Sequence, residues 1–554
     1  MAREALVYLP LGGAGEVGMN MYLYGYGPKG KERFIMIDMG VTFPDMDSSP
    51  GVDLIFPDIE WIAERADQLD AIFITHAHED HIGAIAHLYP RLKAPIYARK
   101  FTAHIGRLKM EEHGYDGEEI TTVAAMPEQI EAGPFKVGFM PLSHSIPESS
   151  ALIIDTPAGR IVHSGDFKLD ETPVLGEPFD RAAWSKLGPV KALVCDSTNV
   201  FSPHAGRSEI TVGPAIEKIV AEAEGMVVAT TFASNIARVK TLAEAGQAAG
   251  RSIVLMGRAM RRMIEAGVET GVIGDFPKVV SPEDAKDVPR GNLMLLATGS
   301  QGERRAASAQ LSRGKYQGLT LKEGDLFLFS SKTIPGNEVS VGRVVNALSE
   351  MGVDVIDDRM ADIHVSGHAN RPDLEEMHAL VKPQILVPMH GEHRMLREHA
   401  KLGEAGGIAS VIAPNGTMVA LQGNRPEVVE FVETGRLYLD GSVQVGALDG
   451  IVRDRIRMAL NGTVVIGILI DEEDEPLLDA WCELKGLPEI GRSKAPLAEI
   501  LEEDVGQFLG RADGRTIMND DKLEEAVRRI VRQASVKEIG KKPEVIVLIS
   551  RLAA

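Results

Sequence analysis

The chain of 554 residues is predicted to be an α/β protein built of more than one domain. Three observations predict it. Short runs rich in β-formers alternate with stretches of helical apolar spacing along almost the whole length. Several of those runs stop at a histidine or a carboxylate, which is where open α/β sheets gather ligand sites. The length also exceeds what one ordinary core can organise.

The stretch Ile72-Phe-Ile-Thr-His76-Ala-His78-Glu-Asp80-His81-Ile-Gly83 organises the rest. An apolar run ends at Thr75, three histidines and an aspartate follow, and Ile82, Ile85, Ala86 and Tyr89 then recur at helical spacing. The segment reads as strand, loop and helix. In an extended chain alternate side chains share a side, so His76, His78 and Asp80 project together, and His81 reaches a second position as the chain turns into the helix. Imidazole nitrogen with carboxylate oxygen suits zinc, and ligands split between two positions suggest two ions close together. The plain alternative is a solvated histidine-rich loop; four ligand-type residues in so short a span count against it.

Taken in order, the glycines of Gly12-Gly13-Ala-Gly15-Glu-Val-Gly18-Met-Asn20 resemble a dinucleotide fingerprint. Met21-Tyr-Leu-Tyr then reads as a strand instead of a helix, so the glycines belong to a tight β-turn. Phe34–Ile37 is a strand ending at Asp38, a carboxylate that either caps the strand end or holds a ligand histidine from behind, the second being preferred. Residues 43–57 are polar and proline-bearing, a loop. A short strand at 95–98 and a helix at 102–112 lead to His144. The runs Ile161-Val-His163 and Ala192-Leu-Val-Cys195 end at Asp166 and Asp196. From about Ser208 the runs at 225–231, 252–256 and 293–297 fit βαβ units on a parallel sheet, so residues 206–356 are expected to form an inserted α/β domain. Ligand-type residues resume at His364-Val-Ser-Gly-His368-Ala369 and at His390. Residues 424–460 are glycine- and charge-rich and read as a linker. Residues 461–554 form a small α+β module: a strand at 463–470, helices at 497–509 and 521–534, and a strand at 544–549.

The net charge of −21 argues against a basic nucleic-acid coat protein but leaves room for an enzyme with a locally positive cleft. No apolar run approaches the ~18 residues of a membrane span. The opening residues do not read as an export signal. Only Cys195 and Cys482 occur, which excludes a disulfide framework; a cytoplasmic protein with no membrane attachment is expected.

His76-x-His78-x-Asp80-His81 with His144, Asp166 and His390 resembles the metallo-β-lactamase superfamily. Asp196, His368 and His390 bring in its nucleic-acid-processing β-CASP branch. The Gly12–Asn20 opening, Ser143–Ser149, Asp196-Ser-Thr-Asn, Ile334-Pro-Gly-Asn-Glu338, His364–Ala369 and Pro388-Met-His-Gly-Glu resemble the bacterial ribonuclease J family over essentially the whole chain.

That resemblance implies an αββα sandwich over 1–205 and 357–450, a β-CASP domain over 206–356 and a C-terminal association domain over 461–554. It implies one zinc held by His76, His78, His144 and Asp166, and another by Asp80, His81, His390 and Asp166, with manganese or magnesium able to serve instead. Asp196 and His368 would supply a proton to the leaving ribose oxygen. His364, Ser366, Gly367, His368, Ala369 and Ser331 would receive single-stranded RNA by its 5′-monophosphate. The implied activity is 5′→3′ exonucleolysis with internal cleavage, in mRNA decay and rRNA maturation, by a homodimer or homotetramer joined through the C-terminal domain. The arginines of the insert, Arg238, Arg251, Arg258, Arg261, Arg262, Arg304 and Arg305, are expected to line an RNA path. A DNA-directed β-CASP nuclease and a non-catalytic RNA-binding scaffold are the competing readings. A small-ester hydrolase would need neither the insert nor the Asp196/His368 pair.

Overall fold

The computed structural model describes residues 4–552. They fall into two compact units, residues 4–42 with 56–435, and residues 43–55 with 436–552.

The first unit is built on two facing sheets. One has eight strands in the order Glu427–Phe431, Thr417–Ala420, Glu4–Gly12, Met21–Pro28, Arg33–Ile37, Leu69–Ile74, Ile96–Ala98, Ile120–Thr122. The other has seven: Ala409–Ser410, Ile385–Met389, Ala192–Asp196, Gly159–His163, Ser150–Thr156, Phe135–Pro141, Ile130–Ala132. Alternation along each strand sends one set of side chains inward. Tyr8, Tyr24, Ile35, Ile37 and Phe73 meet Phe139, Ile154, Ile161, Val194 and Val387 in a single buried layer. Each such side chain contributes about 1.5–3 kcal/mol when fully buried. The opposite face of the seven-stranded sheet, through Ile153, Val162, Leu193 and Leu386, is covered by Leu374, Met377 and Val381 of the helix Arg371–Val381 and by Leu402 of His393–Ala405. Helices Ile85–Leu92 and Lys100–Glu112 lie on the eight-stranded side. The architecture is the metallo-β-lactamase αββα sandwich.

Between Asp196 and Arg371 the chain builds a five-stranded, wholly parallel sheet in the order Ser252–Met256, Leu293–Ala297, Val227–Thr230, Leu326–Phe329, Asp354–Ile356. It packs directly on the sandwich. Ala77, Phe101 and Ile146 belong to the same buried cluster as Val227, Ile236 and Leu328 of the insert and Ile363 and Val365 just after it. Ala77 stands between His76 and His78, and Ile146 two residues past His144. The residues interleaved with candidate ligands are therefore clamped by the insert.

The second unit has a sheet of Trp481–Lys485, Thr463–Ile470 and Glu544–Arg551, backed by helices Leu497–Leu509 and Asp520–Ile539 over a core of Val464, Ile466, Ile468, Leu501, Val505, Val527 and Val531. Two expectations differ here. Residues 43–57 contain a short strand, Leu54–Pro57, where a loop was expected, and Asp53 donates its amide to Leu439 O at 2.8 Å. Of the expected linker, residues 436–460 are folded into the antiparallel strands Arg436–Asp440 and Val443–Gly446 and most of the helix Ile451–Asn461. The glycines and charges that suggested a linker serve hairpin turns and an exposed helix face.

Candidate metal centre

The strands Arg33–Ile37, Leu69–Ile74, Phe135–Pro141, Gly159–His163, Ala192–Asp196 and Ile385–Met389 deliver Asp38, the His76–His81 loop, His144, Asp166, Asp196 and His390 to one edge of the sandwich. The loop is held by backbone on both sides. Met39 N donates to His81 O at 2.7 Å, Val41 N to Glu79 O at 3.1 Å, and Asn20 N to Asp80 O at 2.9 Å. Gly40 is required by that approach, since a Cβ there would lie 1.7 Å from Asp80 O. Asp38 and His390 adopt left-handed backbone, φ 63° and 47°, a strain of about 1–3 kcal/mol each that other contacts at functional sites sustain.

Three donor clusters share Asp166; one joins it to Asp196, His368 and His390, and the other two gather the expected ligands. His76, His78, His144 and Asp166 form one, Asp80, His81, His390 and Asp166 the other, with donor atoms in each within 4.8 Å of one another. Asp166 Oδ2 lies 3.2 Å from His81 Nε2 and 3.8 Å from both His76 Nε2 and His144 Nε2, while Oδ1 lies 2.5 Å from His390 Nδ1. Simple alternation placed Asp80 beside His78. Instead the helical turn Glu79–Ile82 carries it to the second cluster, where its Oδ2 is 3.4 Å from His390 Nε2.

The donor chemistry fits metal ions. His144 Nδ1 donates to Gly367 O at 2.6 Å and His81 Nδ1 to Asp38 Oδ2 at 2.7 Å, so each presents a bare Nε2 to the cluster. Asp38 also accepts from Thr75 N at 2.7 Å, the orienting role its position suggested. Bare imidazole nitrogens and carboxylates packed this closely repel one another unless positive charge lies among them. Burial pushes His78 down to about 4 and His76 and His144 well below the usual imidazole range. Burial works the same way on His390, but Asp166 and Asp80 override it and push that group up to about 10.

Beside the clusters, His368 Nδ1 lies 2.8 Å from Asp196 Oδ2, and Asp196 Oδ1 accepts from Thr198 N at 2.9 Å and Thr198 Oγ1 at 2.7 Å. Burial opposes a charge on His368, yet Asp196 raises its pKa above the ordinary value.

The remaining expected site residues gather near this pair. Ser366 Oγ accepts from Asn199 Nδ2 at 2.7 Å and from His368 N at 3.1 Å. The Gly367 carbonyl is used by His144, and the Ala369 methyl is in the core, which leaves only its backbone for a ligand. Ser331 is buried with its hydroxyl unpartnered. His364 is pushed down to about 3 by burial and then by Arg238, Lys332, Lys168 and Arg207. Arg238 is fully buried: it pairs with Glu209 at 2.5 and 2.9 Å and donates to Ser330 O and Ile363 O, each at 3.0 Å. Arg251 is buried too, donating to Gly225 O at 2.7 Å. These two arginines brace the insert instead of lining a path, whereas Arg258, Arg304 and Arg305 are exposed.

Family models match the chain as "Metallo-beta-lactamase superfamily" over residues 14–195, "Ribonuclease J, beta-CASP domain" over 224–348, "Zn-dependent metallo-hydrolase RNA specificity domain" over 353–414 and "Ribonuclease J C-terminal domain" over 450–552. Ribonuclease J of Sinorhizobium meliloti is 40% identical, covering 99% of this chain and 98% of that protein. The chain belongs to the ribonuclease J family. Ribonuclease J of Mycolicibacterium smegmatis is also similar, 35% identical over 96% of this chain and 94% of its own. A crystal structure of an Enterococcus faecalis protein of unknown function shares the fold alone, with 18% identity and a TM-score of 0.52 over 75% of this chain and all of that one. Membership of the ribonuclease J family makes the chain a metal-dependent ribonuclease. Among the described residues no helix is long and apolar enough to cross a membrane.

Asn20 has a part in this ribonuclease J family centre that sequence reasoning did not assign. Its amide nitrogen is 3.0 Å from His81 Nε2 and 3.1 Å from Asp80 O, and its oxygen accepts from Tyr22 Oη at 2.6 Å. The signal available was a lone asparagine inside an apolar run. Glu209 and Lys168, buried beneath His364, carried no local signal.

Proposed function

We propose that this member of the family is a two-zinc ribonuclease that removes nucleotides 5′→3′ from 5′-monophosphate RNA and also cuts internally, in mRNA decay and rRNA maturation. The observation that carries the reading is the juxtaposition of three features: the clusters sharing Asp166, the Asp196–His368 pair, and the His364 segment with Arg238, Lys332, Lys168 and Arg207 near it.

When bound, zinc, manganese or magnesium polarises phosphoryl oxygens and lowers the pKa of the attacking water. Asp38 and the Gly367 carbonyl fix the tautomers of His81 and His144, keeping their Nε2 atoms available. His368, held by Asp196, donates a proton to the departing ribose 3′-oxygen, giving a 3′-hydroxyl and a 5′-phosphate. The His364 segment adjoins the place where strands Val227–Thr230 and Leu326–Phe329 end side by side, a switch point of the parallel sheet, Arg238 donating to both Ser330 O and Ile363 O at 3.0 Å. The helix Ile236–Ala248 begins there, its positive end joining Lys332 and Arg207, while Arg238 and Lys168 are paired with Glu209 and Asp170. A bound phosphate would also satisfy the Ser331 hydroxyl. A site there that fits one phosphate favours monophosphate ends and sets a one-nucleotide step.

Assembly as a homodimer or homotetramer is supported by the C-terminal sheet. Its face away from the helices presents Trp481, Ile546 and Leu548 at 48–51% exposure. The two free cysteines accord with a cytoplasmic setting.

The test is digestion of matched RNAs bearing 5′-monophosphate, 5′-triphosphate or 5′-hydroxyl, with a DNA control. The reading expects mononucleotides from the monophosphate RNA first. Equal rates on all three ends would remove the role assigned to the His364 segment, and preferential cleavage of DNA would favour the DNA-directed alternative.

A further inference from the structure

The rim of the metal centre carries an aromatic–cationic pair that no step above uses. Phe201 follows Asp196 by five residues, and the backbone around it is fixed. Val200 is fully buried, Asn199 Nδ2 donates to Ser366 Oγ at 2.7 Å and Asn370 Oδ1 at 3.1 Å, Ser202 N donates to Asn199 O at 2.9 Å, and Arg371 N to Ser202 O at 3.1 Å. Between these anchors the Phe201 ring stands 52% exposed. The Arg394 guanidinium lies 5.7 Å from the ring centre on a side chain 66% exposed, and its Nε donates to Glu392 Oε2 at 2.7 Å. The two segments are close to each other, since Thr198 Oγ1 lies 3.1 Å from His390 O. They are also the loops that present Asp196 and His390.

Holding a phenyl ring in water on a rigid backbone adds nothing to the core, so packing does not account for it. A ring face beside a planar guanidinium is a surface on which any nucleobase can stack, with the cation also able to reach a phosphate. The Glu392 carboxylate engages only the Nε edge of Arg394, which leaves its terminal nitrogens for such a contact. We propose that Phe201 and Arg394 form a stacking platform for one nucleobase of the single-stranded substrate, on the His390 flank of the metal centre. The proposal rests on reading the site as a ribonuclease. The platform grips the strand independently of base identity and keeps it in register with the metals while the 5′ end is held elsewhere.

The test is steady-state kinetics of the metal-loaded protein on 5′-monophosphate RNA, intact or with one abasic nucleotide placed at each successive position. The variants are Phe201→Ala, Phe201→Trp and Arg394→Gln, with thermal melts to show that each folds. In the wild type, the abasic substitution at one position raises KM roughly 5- to 100-fold, the range that base–aromatic stacking spans. Phe201→Ala raises KM for intact RNA by a similar factor and no longer distinguishes the abasic substrate at that position. Phe201→Trp restores both behaviours, and Arg394→Gln raises KM less. A folded Phe201→Ala protein with wild-type KM, or with undiminished sensitivity to the abasic position, overturns the platform alone. A wild-type protein that leaves RNA intact overturns the ribonuclease reading and the platform with it.

Discussion

His368 and Gly367 sit next to each other and fail in different ways. The His368 imidazole touches Asp196 at 2.8 Å and is 23% exposed, so its loss leaves the fold and the metal ligands in place. His368→Ala is expected to keep its metal and slow turnover by about 10²–10⁴-fold, the usual contribution of a positioned acid, in single-turnover assays; a wild-type rate would remove it from the mechanism. At Gly367 the carbonyl orients His144, and an added Cβ would lie 2.9 Å from His144 Cε1 and from Ser145 Cβ. Gly367→Ala is therefore expected to displace a ligand without replacing one, lowering zinc retention under dialysis against a chelator. Wild-type retention would show that the His144 ring can shift without loss. The His76–His81 loop was legible because its donors are local, four within six positions. Asp38, 43 residues from the histidine it orients, was legible only as a carboxylate ending a strand. Asn20 was not, because Asp80 and His81 lie 60 and 61 residues further on and its one local partner is Tyr22.

At the scale of elements, helices Arg371–Val381 and His393–Ala405 meet through a histidine pair beneath the Asp196 loop. The rings of His378 and His399 stack at 5.2 Å with Nε2 atoms 3.1 Å apart, and His399 Nδ1 is 2.9 Å from Ser197 Oγ. Burial pushes His378 down to about 4; burial and then His378 hold His399 well below the usual range. Both pKa values are depressed by folding, so the unfolded chain takes up protons first. The contribution is present above the unfolded value of ~6.5 and is lost as pH falls through about 4. Denaturant midpoints are expected to fall between pH 7.5 and pH 5.0, and to fall less in His378→Gln; an equal drop in that variant would show that other groups set the acid limb. Elements with strong periodicity were read closely. Ser252–Met256, Leu293–Ala297 and Leu497–Leu509 occur with the expected limits. The misread stretches are Leu54–Pro57, a four-residue strand inside a proline-bearing segment, and residues 436–460, whose tight hairpin of Arg436–Asp440 with Val443–Gly446 and exposed helix Ile451–Asn461 are too polar to show an apolar period.

For the whole molecule, the insert acts through burial as much as through chemistry. Ala77, Ile146, Ile363 and Val365 tie the donor loops and the His364 segment into one core, which holds the two at a fixed spacing. The C-terminal unit contributes no donor cluster among the described residues, and its open sheet face suits association. On the proposed assembly, the wild type sediments as a dimer or tetramer and Ile546→Asp with Leu548→Asp sediments as a monomer while each chain stays folded. An unchanged sedimentation coefficient would move the interface elsewhere.

The most direct test of the central claim is elemental analysis of the purified chain beside Asp166→Ala and His76→Ala. Because both sets of expected ligands share Asp166, the account predicts about two zinc-group ions per wild-type chain, loss of affinity for both in Asp166→Ala and for one in His76→Ala, with RNA cleavage abolished in each. A single ion in the wild type, or an Asp166→Ala protein that keeps a full complement and still cuts RNA, would contradict it.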